Sequence, residues 1–376
     1  MLHKSGFLTT MTMVFLALAC TPARAQVTFQ EIPVPNLWIL SMSADGRVGV
    51  GISAGNQPGN VVDGFRWTPE GGVENIGGYH AFGIIVSRDG KTIVGHVLDS
   101  GGNSEMAIWQ GGKNWMPLGG IHGQGPDTGA HVLSVATGVS ADGSVIVGQA
   151  TLSSSKTHAV RWDAQNGMVD LGALFGESSQ ALAISADANT IVGWDFNRNT
   201  NFPLDHRQGV VFWNGLERPL HAFGWAGSAK TTNFNGAIIA GVSHPQDNYV
   251  GFGAPTTYLY TAWDGRFEDL GAVSSGNPVI DFNEYTSSPS AMSDYGEVVG
   301  GTTGQLVTKG ASLWTRATGM VRVSDWLTGL GITTHQGWRL LETTFVSPDG
   351  KFIEGVGFKP QIGSGDVGGS WIVKLR

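Results

Sequence analysis

The chain has 376 residues, 57 of them glycine and 13 tryptophan; 41% are hydrophobic, 14% are charged, and the net charge is −8. Glycine without a three-residue period excludes a collagen-like rod, and the apolar content excludes a disordered chain. An acidic balance with no basic run argues against nucleic acid as a partner.

Residues 1–25 read as an export leader. Lys4 supplies a positive start, Phe7 to Ala19 is an apolar run too short to span a bilayer, and Ala23-Arg24-Ala25 is a small-x-small cleavage pattern. Cleavage after Ala25 is expected, which makes the protein secreted or periplasmic. The cut removes Cys20, the single cysteine, so the mature chain has no disulfide to lean on. The segment before Cys20 departs from a bacterial lipoprotein signal, which prefers leucine where Ala17 stands. Losing Lys4 and Arg24 moves the charge to −10. No later stretch is apolar enough to cross a membrane.

From Ser43 onward one phrase recurs seven times: Ser43-Ala-Asp-Gly46, Ser87-Arg-Asp-Gly90, Ser140-Ala-Asp-Gly143, Ser185-Ala-Asp-Ala188, Asn233-Phe-Asn-Gly236, Ser293-Asp-Tyr-Gly296 and Ser347-Pro-Asp-Gly350. A second glycine follows each copy at fixed spacing: Gly51, Gly95, Gly148, Gly193, Gly241, Gly301 and Gly355. The copies lie 44 to 60 residues apart, the period of a supersecondary unit that buries its apolar face only against its neighbours. Within a unit, a first strand such as Gln180–Ser185 runs into an Asp-Gly hairpin signal and then a second strand such as Thr190–Gly193. A third strand ends in tryptophan in each copy: Trp67, Trp109, Trp162, Trp213, Trp263, Trp314 and Trp371. A fourth reads Val-x-x-Leu/Ile-Gly, as at Val73–Gly77. Four antiparallel strands in seven periods predict an all-β, seven-bladed β-propeller filling residues 26–376. The last copy lacks its fourth strand, and Val27–Ile32 supplies one. Pairing of 27–32 with 370–375 closes the ring and removes both sheet edges. The aspartates are read as caps of their own turns rather than calcium ligands. The tryptophans, all placed at one position of the repeat, are read as packing between blades.

The combination of His158-Ala-Val-Arg-Trp162, a following Leu-Gly, and Ser-x-Asp-Gly-x-x-x-Val-Gly resembles the HAF repeat of bacterial extracellular proteins, over nearly all of the mature chain. Gly337-Trp338-Arg-Leu, leading into Ser347-Pro-Asp-Gly350, resembles the end of such proteins. The resemblance implies a secreted, propeller-like repeat protein. The Asp-box of sialidases differs, because it wants an aromatic residue where Val-Gly stands here.

The turns between strands one and two and between three and four are short. The long connections, at 119–133, 194–208, 242–258, 272–288 and 327–339, therefore share the opposite face of the disc, where variable loops on a rigid scaffold commonly carry function. All nine histidines after the leader fall in or beside those connections. The expected function is binding of an extracellular glycan or protein ligand at the channel mouth on that loop face, by a monomer without cofactor. The candidate ligand-binding residues are His80, His122, His131, Trp194, Trp225, His244, Tyr249, His335 and Trp338. The alternative is a carbohydrate-active enzyme on the same face, a polysaccharide lyase or glycoside hydrolase. Its candidate catalytic residues are His206, Arg207, His221 and Tyr258, because paired His and Arg suit proton transfer beside a sugar carboxylate. His122, Asp127 and His131 share one loop but form no compact zinc signature, and no metal is expected.

Overall fold

The computed structural model describes residues 27–34, 36–53, 63–80, 83–121, 132–153, 156–197, 206–213, 216–220, 227–243, 256–273, 286–304, 309–361 and 365–375. These form seven four-stranded antiparallel sheets, each up-and-down in order. After β1 (Val27–Glu31), blade 1 holds β2 (Leu37–Met42), β3 (Gly49–Ser53), β4 (Gly64–Thr68) and β5 (Gly72–Gly77). Blade 2 holds β6 (Ile85–Val86), β7 (Ile93–Leu98), β8 (Ser104–Trp109) and β9 (Trp115–Pro117). Blade 3 holds β10 (Ser134–Val139), β11 (Val145–Ser153), β12 (Lys156–Asp163) and β13 (Gly167–Gly172). Blade 4 holds β14 (Ser179–Ile184), β15 (Thr190–Phe196), β16 (Arg207–Trp213) and β17 (Leu216–Pro219). Blade 5 holds β18 (Gly227–Thr232), β19 (Ile238–Ser243), β20 (Thr256–Thr261) and β21 (Arg266–Gly271). Blade 6 holds β22 (Ser287–Met292), β23 (Val298–Thr303), β24 (Gly310–Thr315) and β25 (Gly319–Arg322), followed by a short helix, α1 (Val323–Gly329). Blade 7 holds β26 (Arg339–Val346), β27 (Phe352–Gln361) and β28 (Gly365–Leu375), and β1 completes it. Neighbouring inner strands touch all round, including β2 with β26, so the ring is closed. The closing ladder runs from Val27 opposite Leu375 to Glu31 opposite Trp371, the pairing the sequence predicts.

The recurring phrase is a turn built on its own side chains. Ser43, Ser87, Ser140, Ser185 and Ser347 each donate a hydroxyl to the aspartate two residues on, at 2.5 to 2.8 Å. The serine Oγ in turn accepts the backbone N–H five residues on, as at Val145 (3.0 Å). The aspartates are therefore turn caps, held below the usual carboxylate range by the bonds they accept; Asp142 falls to about 2.

The second glycine has a different cause. Six inner strands carry a β-bulge at one shared place, with Leu40, Thr137, Leu182, Lys230, Ser290 and Thr344 as the extra residues. The bulge drives a carbonyl of the inner strand against the glycine opposite. A Cβ at Gly51, Gly148 or Gly193 would sit 1.8 to 1.9 Å from that oxygen.

The tryptophans do not share one position. Trp67, Trp162 and Trp314 pair two residues before the motif glycine, opposite Gly49, Ile146 and Val299, and Trp109 matches them. Trp371 lies opposite Gly355 itself and is fully buried. Trp213 is one residue late and Trp263 three, so Phe212 and Tyr260 take the shared position in blades 4 and 5. Both displaced tryptophans are exposed, at 44% and 81%.

Candidate ligand site at the channel mouth

In an up-and-down blade the turns between strands one and two share a face with those between three and four. Hydrogen bonds around the axis confirm the common face for the first set. Ala44 N–H donates to Arg88 O (2.9 Å), Asp89 to Ala141 O (3.1 Å), Ala141 to Ala186 O (3.2 Å), Ala186 to Phe234 O (2.9 Å) and Asp294 to Pro348 O (2.9 Å). Asn233 Nδ2 donates to Asp294 O at 2.9 Å. Arg88 then reaches across the opening from blade 2 to blade 6, with Nη2 3.0 Å from Asp294 Oδ2, and its guanidinium lies 5.4 Å from the Phe234 ring. The channel is thus bridged at the turn face.

Toward the loop face a pocket of about 320 Å³ lies where blades 6, 7 and 1 meet. Its walls are Trp38 and Leu40 on β2, Ser290 on β22, Lys309 ahead of β24, Leu341, Glu342 and Thr344 on β26, and Val356 on β27. Leu40, Ser290, Leu341 and Thr344 are all bulge residues, so the irregularity that demands the recurring glycine also shapes this wall. Glu342 accepts Ser290 Oγ at 2.8 Å and lies 3.5 Å from Lys309 Nζ. The Trp38 ring packs edge-on against Phe358 (5.5 Å), and its indole N–H is buried without a hydrogen-bond partner among the described residues. An unpaired buried donor costs free energy until something accepts from it.

Behind this wall lies Glu354, wholly buried. The other six copies place Val50, Val94, Val147, Val192, Ala240 or Gly300 at its position. Burial pushes its carboxyl up to about 8 against hydrogen bonds from Thr344 and Ser370, and nearby Glu342 adds to the rise. Ser370 Oγ also accepts the Ile39 N–H (2.8 Å), which ties the acid to the blade 7–blade 1 seam. The sequence signal for this corner was the single copy in which Val-Gly becomes Glu-Gly; Trp38, Lys309 and Glu342 carried no signal of their own.

Among the described residues, the structure distributes the predicted site residues rather than gathering them. His80 is not on the rim: it is wholly buried between blades 1 and 2 in space left by Gly64, Gly78 and Gly95. Its Nε2 bonds Gly77 O (2.8 Å), its Nδ1 accepts the His96 N–H (3.2 Å), and burial lowers it to about 4. His96 is also buried; it bonds Gly83 O (3.1 Å) and accepts the Ala136 N–H (3.1 Å), so neutral imidazoles stitch blades 1, 2 and 3 together. Tyr258 is likewise sealed, at 2% exposure. It lies opposite Gly241, as Trp371 lies opposite Gly355, and its ring fills the room the missing side chain leaves. Burial pushes its phenol well above the ordinary range. His335, 5% exposed, packs 6.0 Å from Phe29 and bonds Thr328 of α1 (3.2 Å).

Trp194 sits on β15 with its indole N–H on Gln180 Oε1 (3.0 Å). His206, edge-on to Phe196 (5.4 Å), and Arg207, at the start of β16, stand on the same blade. Trp338 lines a smaller loop-face pocket of about 160 Å³ with Glu31 and Lys359, which pair at 2.8 Å. His122, His131, His221, Trp225, His244 and Tyr249 lie outside the described residues. Among the described residues no group of three or more His, Cys, Asp or Glu is placed to hold a metal, and no helix is long and apolar enough to cross a membrane.

Fold and geometry together define a closed seven-bladed propeller whose channel is bridged at the turn face. No family model and no curated protein matches the chain. Solved structures do. The β-propeller domain of the Trilobed protease from Pyrococcus furiosus is 11% identical with a TM-score of 0.57, over 90% of this chain and 93% of that one. An oligogalacturonate lyase from Vibrio parahaemolyticus is 10% identical with a TM-score of 0.56, over 94% and 99%. TolB from Acinetobacter baumannii gives 12% identity and a TM-score of 0.47 over 76% of this chain; the chain spans 61% of that protein's length. At such identity the likeness is one of fold.

Proposed function

We propose that this is an exported propeller that binds a glycan in the pocket at the channel mouth. One observation carries the reading: Trp38, Lys309, Glu342 and two hydroxyls meet in one cavity of a channel bridged at its turn face. An aromatic ring beside a carboxylate, an ammonium and hydroxyls matches the two faces of a sugar, apolar C–H on one and hydroxyls on the other. Titration of the mature chain with a panel of oligosaccharides by calorimetry should find a binder. Trp38→Ala and Glu342→Gln should each weaken that binder by about tenfold, the loss expected for about 1.4 kcal/mol of contact. Unchanged affinity in both variants would remove the pocket from consideration.

The competing reading is a lyase or glycoside hydrolase on the same face, and the Vibrio neighbour, titled an oligogalacturonate lyase, keeps it in view. Of the catalytic candidates, Tyr258 is sealed in a packed interior, which supports binding over turnover. Release of unsaturated ends or reducing ends from polygalacturonate or a neutral glycan would reverse that preference.

A further inference from the structure

Seven copies of one repeat provide an internal standard for what the fold needs. Measured against it, four departures lie on one face of three consecutive blades, and each leaves an aromatic ring exposed. In blade 4 the tryptophan slips one residue past its packing position and becomes Trp213, 44% exposed. In blade 5 it slips three and becomes Trp263, 81% exposed at the tip of a turn. The second place of the phrase, alanine in three copies, is Phe234 in blade 5, 46% exposed. The third place, a capping aspartate in five copies, is Tyr295 in blade 6, 77% exposed. The packing positions of the blades do not call for these rings, although Arg88 lies 5.4 Å from the Phe234 ring and Arg218 5.7 Å from the Trp213 ring. Phe212 and Tyr260 already fill the packing position. The turn holding Tyr295 keeps the bond from Val298 N–H to Ser293 Oγ (3.1 Å) without its aspartate. Four large aromatics exposed on one face exceed the singly scattered apolar residues that a soluble surface ordinarily carries.

The rings belong to one surface. Trp213 pairs with Thr190, and a Cβ on Gly236, in the Phe234 turn, would lie 2.1 Å from the Thr190 hydroxyl. Ala262 N–H donates to Ala237 O at 2.9 Å, which joins the Phe234 turn to the Trp263 turn. Asn233 Nδ2 donates to Asp294 O at 2.9 Å, which joins it to the Tyr295 turn. All four lie on the turn face, opposite the channel mouth.

We propose that the turn face of blades 4 to 6 is a second binding surface, for a neutral polysaccharide chain whose sugar rings stack on Trp213, Phe234, Trp263 and Tyr295. The arrangement selects a sugar chain over a protein. The rings stand on separate turns with polar Asn235 and Asp264 between them, and the contiguous apolar centre of a protein interface is missing. Charge selects a neutral chain. Arg88 is matched by Asp294, Arg316 and Arg266 share Glu268, and Arg218 lies 5.7 Å from the Trp213 ring, so the cations are dispersed among the rings rather than gathered in a row, on a molecule of net charge −8. A uronic polymer would meet no uncompensated cationic row there.

The test is affinity electrophoresis of the mature chain through gels containing mixed-linkage β-glucan, galactomannan or soluble starch, with alginate and polygalacturonate as charged controls. Retardation is expected in at least one neutral gel. Trp263→Ala and Tyr295→Ala should each weaken it by about tenfold and together abolish it, with thermal unfolding unchanged because the rings are exposed. Trp38→Ala at the channel mouth should leave this retardation intact, which separates the surface from the pocket proposed above. Retardation insensitive to Trp263→Ala and Tyr295→Ala, retardation by the charged polymers alone, or none in any gel would overturn the assignment. So would sedimentation showing a dimer that the double variant dissolves, since the occupant would then be a second copy.

Discussion

Glu354 shows how much one residue can say in a repeat protein. Six copies hold valine, alanine or glycine where this acid is buried, so its presence is not a requirement of the blade. Its carboxyl is pushed from 4.5 up to about 8, so the folded state favours the protonated form. A raised acid contributes its full stability below its unfolded value and loses it as pH climbs through the folded value. Wild type should therefore lose stability between about pH 4.5 and 8, by up to about 1 kcal/mol per pH unit from this group. Glu354→Gln keeps an acceptor for Thr344 and cannot ionise. Its thermal midpoint relative to wild type should rise steadily across that window, and a constant difference from pH 5 to 8 would show that the acid does not titrate as burial dictates.

At the scale of the strand, the bulge and its facing glycine act as a unit. Val135 O lies where a Cβ on Gly148 would have to go, 1.8 Å away, and the offending atom is backbone and cannot swing aside. Gly148→Ala should cost about 3 kcal/mol or more in urea denaturation. Gly329→Ala, in α1 with nothing within 4 Å, should be neutral or stabilise by about 0.5 kcal/mol. Equal effects would mean the inner strands relax around a side chain. The same unit explains how far the sequence could be read. Fixed spacing between turn and glycine exposed the blade, its strand order and the closing pair, because a hairpin signal and an alternating strand are local properties. A bulge is not local: it is a choice of register between two strands, invisible in either one. Register between the second and third strands is a pairing choice too, so position along the third strand misled, placing Trp213 and Trp263 inside and Tyr258 outside. The channel-mouth wall stayed hidden for the same reason, since Leu40, Ser290 and Thr344 face the pocket only through their bulges. The histidines misled differently. His80 and His335 do sit in connections, but those connections tuck inward where glycines or a helix leave room.

The ring as a whole depends on a ladder between residues at opposite ends of the chain. β1 covers the edge of β28, and Phe29 enters a cluster with Trp371, Leu327, Leu340 and Ile353. Its ring stacks on Trp371 at 6.2 Å and touches His335 and Trp338, the two predicted loop-face residues that share a neighbour. Without β1, β28 is an exposed edge next to an apolar hole, the combination that invites strand addition. Phe29→Ala keeps the ladder and empties the hole, so it should cost about 3 to 5 kcal/mol and leave the protein soluble. Deleting residues 27–32 removes both and should add concentration-dependent aggregation. A synthetic peptide of sequence Val-Thr-Phe-Gln-Glu-Ile, added in excess during refolding, should then suppress aggregation and recover part of the lost thermal midpoint. The same peptide with alanine in place of phenylalanine should do neither. If the deletion variant stayed monomeric with an unchanged midpoint, closure would be an ornament of the fold, and blades 7 and 1 would be held by Glu354, Ser370 and their neighbours alone. If the peptide failed while Phe29→Ala behaved as described, the ring would need its closing strand covalently attached, because loop closure within one chain supplies a local concentration that free peptide cannot match.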